Sequence, residues 1–139
     1  MSSDAAPVLV VEDGKGPYGQ TITSGPHALA ADEPAALGGG DRAPSPHQLL
    51  MAALGACTNI TLRMYAERHG WPLEKVTCEV SNARIEGAAA GAPNERFARR
   101  ITLTGPLDDT QRARLLAIAG RCPVSQILTR GAIVEAEPG

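Results

Sequence analysis

The sequence predicts an α+β fold in which an antiparallel sheet packs on one long central helix. Three observations predict it: a long, nearly uncharged helical segment near the middle, strand-like runs on both sides, and turns between neighbouring strands. Strands joined by hairpins form antiparallel sheets. We expect one domain over residues 1–139. In it, strands and a Gly-rich loop occupy 1–44, the central helix 45–70, and further strands and C-terminal helices 74–139.

Short strands joined by turns are expected before the central helix. The runs "PVLVVED" and "GQTITSG" predict two strands with a hairpin turn at "GKGP", and "HALAAD" predicts a short third strand. The Gly- and Pro-rich segment 33–46 predicts a loop. Its composition suits either a disordered linker or an ordered border of a functional site.

Clear start and stop signals bound the central helix. Ser45 suits the N-cap and Pro46 the first helical position, while Gly70 suits the C-cap. The apolar spacing predicts a buried stripe formed by Leu50, Ala53, Leu54, Cys57, Ile60, Thr61 and Met64. Small residues in "AALGA" would allow another element to approach closely. The N-terminal half of the helix is therefore expected in a core or a subunit interface.

Alternating residues after the central helix predict a long hairpin of strands over 74–86 and 96–105. Asp108 or Asp109 is expected to cap a helix that runs to about Gly120. "CPVSQILTR" predicts another helix, and "AIVEAE" a closing strand. The whole order of elements agrees with one antiparallel α+β domain.

Composition and charge exclude several classes of function. The formal net charge is −2 without a run of like charges, so we expect neither nucleic-acid nor membrane binding. No apolar stretch is expected to have the length of a spanning helix, and "MSSDAAP" lacks the features of a signal peptide. A cytoplasmic location is the simplest expectation. The three histidines are scattered singly, so we predict no metal and no cofactor.

The three cysteines, Cys57, Cys78 and Cys122, do not suit a structural disulfide framework, which needs an even and dense set. Cys122 precedes Pro123 and is expected at or near a helix N-cap, where unpaired backbone N–H groups would stabilise a thiolate. Cys57 lies on an apolar helical stripe, where burial would raise the pKa of its thiol and lower its reactivity. Locally, each thiol is either a core residue or a reactive group.

Two segments taken together carry a resemblance. "GGGDRAPSPHQLLMAALGACTNITLRMYAERHGWPLEKV" and "AGRCPVSQIL" resemble the OsmC/Ohr family of osmotically inducible and organic-hydroperoxide-resistance proteins, and more closely its OsmC-like branch. The specific features are the Pro46–Gln48–Leu49 start, the Ala-Cys pair at Cys57 and the Cys-Pro-Val-Ser from Cys122. The resemblance extends over nearly the whole chain.

The resemblance implies a fold, an assembly and an activity. It implies an OsmC-like fold in an intertwined homodimer, with the long helix buried against the partner. Two-cysteine members of the family are thiol peroxidases, and by motif Cys57 matches the peroxidatic and Cys122 the resolving cysteine. The substrate would be an organic hydroperoxide. The disulfide would be reduced by an external dithiol, which in the family is often a lipoyl protein.

The sequence departs from the family at the groups that activate the thiol. Better-known Ohr members have a glutamate ten residues before the cysteine and an arginine in an N-terminal turn; here those places hold His47 and a turn with Lys15. Candidate activating cations are Arg42, Lys15 and His47, and Glu33 is a candidate to orient one of them. This departure motivates an alternative function, a non-catalytic binding or redox-sensing dimer. A third alternative is a purely structural dimer, in which the sulfur atoms would lie too far apart to bridge.

Overall fold

The computed structural model of the protein describes residues 5–139 and contains both strands and helices, as predicted. The chain forms two compact units, one ending at Leu50 and the other beginning at Met51. The strands are β1 (Leu9–Glu12), β2 (Gln20–Ser24), β3 (His27–Ala31), β4 (Lys75–Arg84) and β5 (Glu95–Thr104). The helices are α1 (Pro46–Arg68), α2 (Asp109–Ile118) and α3 (Pro123–Arg130), with short 3-10 turns at Ala35–Leu37 and Ala119–Arg121.

The first unit contains a three-stranded antiparallel sheet in the order β1-β2-β3. Leu9 pairs with Thr23 at one end of the β1–β2 ladder, and Gln20 pairs with Ala31 at one end of the β2–β3 ladder. The three short strands predicted from the sequence are therefore confirmed.

The Gly-rich loop after β3 is ordered around one buried carboxylate, that of Asp32. Its oxygens accept hydrogen bonds from the backbone N–H groups of Glu33 (2.8 Å), Gly40 (3.4 Å) and Arg42 (3.3 Å). These donors lower the pKa of the Asp32 carboxyl despite its burial. Gly39 is required here, because a Cβ atom would lie 2.0 Å from the carbonyl oxygen of Glu33. The loop is therefore ordered and is not a disordered linker; whether it borders a functional site stays a prediction.

Both ends of α1 follow the sequence signals. The Ser45 hydroxyl accepts from the Gln48 N–H (3.2 Å), and the Gln48 side chain accepts from the Ser45 N–H (2.9 Å), which completes a capping box. At the other end Gly70 has a φ of 63°, and the Trp71 N–H donates to the Ala66 carbonyl, as in a Schellman motif. Local side-chain chemistry thus determines where the helix begins and ends.

The buried face of α1 differs from the predicted stripe. Its buried residues are Leu54, Gly55, Cys57, Thr58, Leu62 and Ala66. The predicted members Leu50, Ala53, Ile60 and Met64 are exposed in the single chain. Leu54 and Cys57 are buried as predicted, and burial of the other members in a subunit interface stays a prediction. Because α1 is apolar on most sides, periodicity alone does not select the face that packs within the chain. Gly55 lies on the face of α1 that packs against β4. A Cβ atom there would lie 3.3 Å from Val80, so a small residue at this position lets the strand approach closely.

The long apolar length of α1 also corrects one expectation. By length and composition this 23-residue helix could cross a membrane, and it is the one helix in residues 5–139 that meets the criterion. The core helix of a soluble protein meets the same criterion. The expectation that no segment has this length was therefore wrong, although α1 packs in two apolar clusters within the chain.

The second unit is built on the β4–β5 hairpin, which packs against α1 and the two later helices. The strands pair antiparallel from Lys75–Thr104 to Arg84–Glu95. Asp108 caps α2 through a capping box with Gln111, which settles the choice between Asp108 and Asp109. The aliphatic core cluster of this unit consists of Leu62, Ala66, Leu73, Leu107, Leu115, Ile118 and Ala119.

The closing strand expected at "AIVEAE" is absent. Residues 131–139 have no regular secondary structure, and Ile133 and Val134 are 92% and 91% exposed. A strand is stable only when its backbone pairs with a neighbour, and no strand of the described residues pairs with this segment. Alternating apolar residues alone were therefore insufficient to predict a strand here.

Candidate active site

Cys57 and Cys122 come together in a small apolar cluster of the second unit. Cys57 lies in the middle of α1 and Cys122 at the N-cap position of α3, with exposed fractions of 6% and 0%. Both are free thiols. The thiol cluster consists of Leu54, Cys57 and Cys122, packed against Val80, Phe97, Val124 and Leu128. The two cysteines that the sequence analysis selected are therefore neighbours in space.

The sulfur of Cys57 lies beside Cys122 and near the first free backbone N–H of α3, and both groups act on the pKa of its thiol. That donor is Val124, because Pro123 has no N–H group. The sequence analysis expected this helix N-terminus to serve Cys122, whose side chain makes no capping hydrogen bond. In the structure, the Val124 N–H at this helix end acts on Cys57 instead. Distant sulfur atoms would favour the third alternative, a purely structural dimer, whereas here the two cysteines pack in one cluster.

Burial decides the acidity of the Cys57 thiol. Desolvation is the main cause that raises its pKa, and the neighbouring Cys122 raises it further. The Val124 N–H lowers the pKa by donating to the sulfur. The Thr61 hydroxyl lowers it as well, but that hydroxyl is buried and makes no hydrogen bond of ordinary length, so its contact with the sulfur is weak. The net result is a raised pKa, and a thiolate at neutral pH needs further positive charge.

Cys78 occupies the inward face of β4 beside the same region. It alternates with the half-buried Val76 and Val80, as the sequence predicted. Burial raises the pKa of its thiol, while the nearby charge of Arg99 and the Thr58 hydroxyl of α1 lower that pKa. No group of three or more His, Cys, Asp or Glu residues that could hold a metal ion occurs within residues 5–139.

The sequence analysis missed one residue of this region, Arg99. It lies on β5 between Phe97 and Ile101 on the half-buried face of the strand, where a charged side chain is uncommon. Its guanidinium donates to the hydroxyls of Thr58 (3.0 Å) and Ser125 (3.4 Å) and to the carbonyl of Ala119 (3.0 Å). The signal was present: Arg99 interrupts the alternation with a charge on the apolar face.

The four candidate activating residues lie in the first unit, whereas both cysteines lie in the second. Arg42 donates to the Lys15 carbonyl (2.6 Å) and forms an ion pair with Asp13 (3.4 Å). The structure thus brings Arg42 and the Lys15 backbone together, with Asp13 as the carboxylate partner. Glu33 accepts from the Asp41 N–H through its carbonyl, and His47 is exposed in the first turn of α1. A role of any of these residues toward Cys57 stays a prediction.

A cavity of about 450 Å³ adjoins the thiol cluster. Three residues of the cluster, Leu54, Phe97 and Leu128, also form part of its wall. The remaining wall contains Ile85, Pro93, Glu95, Arg96, Arg99, Ser125 and Thr129. Its volume lies in the range of small-molecule sites, and its wall combines apolar and charged side chains.

Comparison with known proteins bears on the family and the fold. A family model described as OsmC-like protein matches residues 38–137. An OsmC-like protein from Mycoplasma pneumoniae has a similar structure, with a TM-score of 0.76, 18% identity, and coverage of 92% of this chain and 89% of that one. An organic hydroperoxide resistance protein OsmC from Legionella pneumophila has a TM-score of 0.65, 24% identity, and coverage of 92% and 91%.

A third similar structure is an organic hydroperoxide resistance protein from Elizabethkingia anophelis with bound thiocyanate. It has a TM-score of 0.63 and 20% identity, and the alignment covers 94% of this chain and 91% of that one. No curated protein sequence matches the chain. At these identities the similar structures establish a common fold.

Proposed function

Because the chain belongs to the OsmC-like protein family, we propose that it is a two-cysteine thiol peroxidase that reduces organic hydroperoxides to alcohols. The observation that carries the proposal is the packing of the buried thiols of Cys57 and Cys122 in one apolar cluster. Similar structures named as organic hydroperoxide resistance proteins supply the substrate class.

The proposed reaction begins at Cys57. Its thiolate attacks the distal oxygen of the hydroperoxide, the O–O bond breaks, and the alcohol leaves with a proton while Cys57 becomes a sulfenic acid. The Cys122 thiol then condenses with the sulfenic acid, which forms the Cys57–Cys122 disulfide and releases water. An external dithiol, such as that of a lipoyl protein, restores both thiols and becomes a disulfide itself.

The surroundings of the sulfur favour an organic substrate over hydrogen peroxide. The adjoining cavity of about 450 Å³ has the apolar side chains Leu54, Phe97 and Leu128 on the side of the thiols. An apolar wall stabilises a hydrocarbon group by excluding water from it. The Val124 N–H that donates to Cys57 would stabilise negative charge on the sulfur during the attack.

The proposed assembly is a homodimer in the cytoplasm. Apolar residues of the second unit are left exposed in the single chain: Ile60 and Met64 on α1, Leu116 on α2, and Ile133 and Val134 near the C-terminus. Exposed apolar surface of this extent is typical of interfaces. A reducing compartment would keep both thiols available. Sedimentation equilibrium tests the dimer, and a mass of one chain at micromolar concentration would contradict it.

Peroxide consumption by single-cysteine variants tests the proposed activity. Stopped-flow measurements with cumene hydroperoxide and an external dithiol as reductant should show that Cys57→Ser abolishes consumption. Cys122→Ser should perform one turnover and then stop, because the sulfenic acid has no resolving thiol. The matched control Cys78→Ser should turn over like the unaltered protein, since Cys78 takes no part in the reaction. Unchanged consumption by both Cys57→Ser and Cys122→Ser would overturn the proposal.

The raised pKa of Cys57 favours a second candidate function, a non-catalytic binding or redox-sensing dimer. In that case the cavity would hold a small apolar ligand and the thiol would react slowly. The rate of Cys57 alkylation as a function of pH separates the two candidates. A pKa at or above the ordinary value of about 8.5, with no peroxide consumption, would support the second candidate.

A further inference from the structure

Arg99 brings a permanent positive charge to the half-buried face of β5. The neighbours on this face are Phe97 and Ile101, and the next residue, Arg100, is exposed on the other face. A guanidinium in such a place needs hydrogen-bond partners, because desolvating it without them is costly. Its three acceptors are neutral oxygen atoms, so they leave its charge uncompensated.

These acceptors come from three separate segments around the thiol pair. The Thr58 hydroxyl belongs to α1, the Ala119 carbonyl to the 3-10 turn after α2, and the Ser125 hydroxyl to the first turn of α3. One side chain of β5 therefore links the helix that carries Cys57 to both sides of the turn that carries Cys122.

Each contact lies next to a group that acts on the sulfurs. Thr58 follows Cys57 in the chain. The Ala119 carbonyl also accepts the Cys122 N–H (3.3 Å), so Arg99 and Cys122 share one acceptor. Ser125 follows Val124, whose N–H donates to the Cys57 sulfur. A change at Arg99 would thus alter the relative position of both sulfurs.

We propose that Arg99 is a positioning residue for the Cys57–Cys122 pair: its guanidinium ties α1 to the turn before α3 and holds the two sulfurs where a disulfide can form. This inference rests on the proposed function, since it concerns the resolving step. Lysine cannot replace it fully, because an ammonium group cannot reach three acceptors in a planar fork.

The equilibrium between the dithiol and the disulfide tests the inference without any peroxide. In glutathione buffers, glutathione disulfide oxidises the two thiols to one disulfide and yields two molecules of glutathione. Quenched alkylation followed by intact mass gives the effective concentration of one thiol toward the other. The variants are Arg99→Met, Arg99→Lys and the matched control Arg100→Met, each checked for folding by circular dichroism.

We expect Arg99→Met to lower the effective concentration by about tenfold or more, because small displacements of reacting groups have effects of this size. Arg99→Lys should lower it by about threefold, and Arg100→Met by less than about twofold. If Arg99→Met does not fold, Arg99→Lys carries the test, and an unchanged value for it would overturn the inference.

The experiment distinguishes failure of this inference from failure of the proposed function. If the unaltered protein forms the disulfide and Arg99→Met forms it equally well, this inference fails alone. If the unaltered protein forms no Cys57–Cys122 disulfide in the most oxidising buffer, the proposed function fails and this inference fails with it. A merely structural role of Arg99 would lower stability and leave the effective concentration of the folded protein unchanged.

Discussion

The two apolar clusters along α1 differ in what they can do. Toward its C-terminal end, Leu62 and Ala66 pack in the core cluster, whose buried members are all aliphatic. Toward its N-terminal end, Leu54 and Cys57 pack in the thiol cluster, which has two free thiols and a backbone donor. The core cluster offers no group that titrates or reacts. Substitutions there should change stability alone, whereas substitutions at the thiol cluster should change reactivity.

The largest effect on stability is expected in the core cluster. Leu115→Ala should lower the free energy of unfolding by about 2–5 kcal/mol, because Leu115 is fully buried and its removal leaves a cavity. Urea unfolding measures the change. The matched control is Leu37→Ala, since Leu37 is 65% exposed and should contribute below about 0.5 kcal/mol. A slower alkylation of Cys57 in folded Leu115→Ala would show that the core cluster also affects the reactivity of the thiol cluster.

The next effect concerns Thr58, which borders the thiol cluster. Thr58→Val keeps the shape but removes the hydroxyl that donates to the Leu54 carbonyl and accepts from Arg99. We expect the free energy of unfolding to fall by about 1–3 kcal/mol, because the guanidinium loses an acceptor in a buried place. Thr102→Val on the exposed face of β5 is the control for the urea titration. An equal loss in both variants would contradict the role of the buried hydrogen bonds.

The raised thiol pKa values predict how stability depends on pH. The unfolded chain loses its thiol protons near pH 8.5, whereas buried Cys57 and half-buried Cys78 keep theirs to higher pH. The contribution of these thiols to stability should therefore be constant below that pH and then fall by at most about 1.4 kcal/mol per pH unit and thiol, until the folded thiols ionise as well. Urea unfolding in reductant at several alkaline pH values measures the slope. The double variant Cys57→Ser/Cys78→Ser should show a smaller slope, and an equal one would refute this assignment.

The smallest effect on the free energy of unfolding is expected at Thr61, in contrast to Thr58. Thr61→Val removes a buried hydroxyl without an ordinary hydrogen bond, so the free energy of unfolding should change by less than about 0.5 kcal/mol. The same change should raise the pKa of Cys57, because the hydroxyl no longer favours the thiolate. Alkylation of Cys57 at pH 8 should slow by about twofold. A faster rate would contradict the contact between Thr61 and the sulfur.

Local signals predicted the element boundaries well. Ser45, Gly70 and Asp108 all occupy the capping positions expected of them, because capping depends on side chains only a few residues from the helix end. The closing strand and the buried stripe of α1 were predicted less well. Both depend on neighbours that are distant in the sequence: a strand needs a pairing strand, and an apolar helix needs a partner to select its face.

The amino-acid sequence was sufficient to select the residues that we propose to react. Two cysteines in specific surroundings, one of them before Pro123, identified Cys57 and Cys122 and the family they belong to. The folded structure was needed to show that the N-terminus of α3 lies near Cys57 and that Arg99 contacts the segments around the thiol pair. The difference lies in how far apart in the sequence the interacting residues are. Residue type and capping act over one helical turn, whereas the environment of a buried sulfur is assembled from strands and helices far apart in the chain.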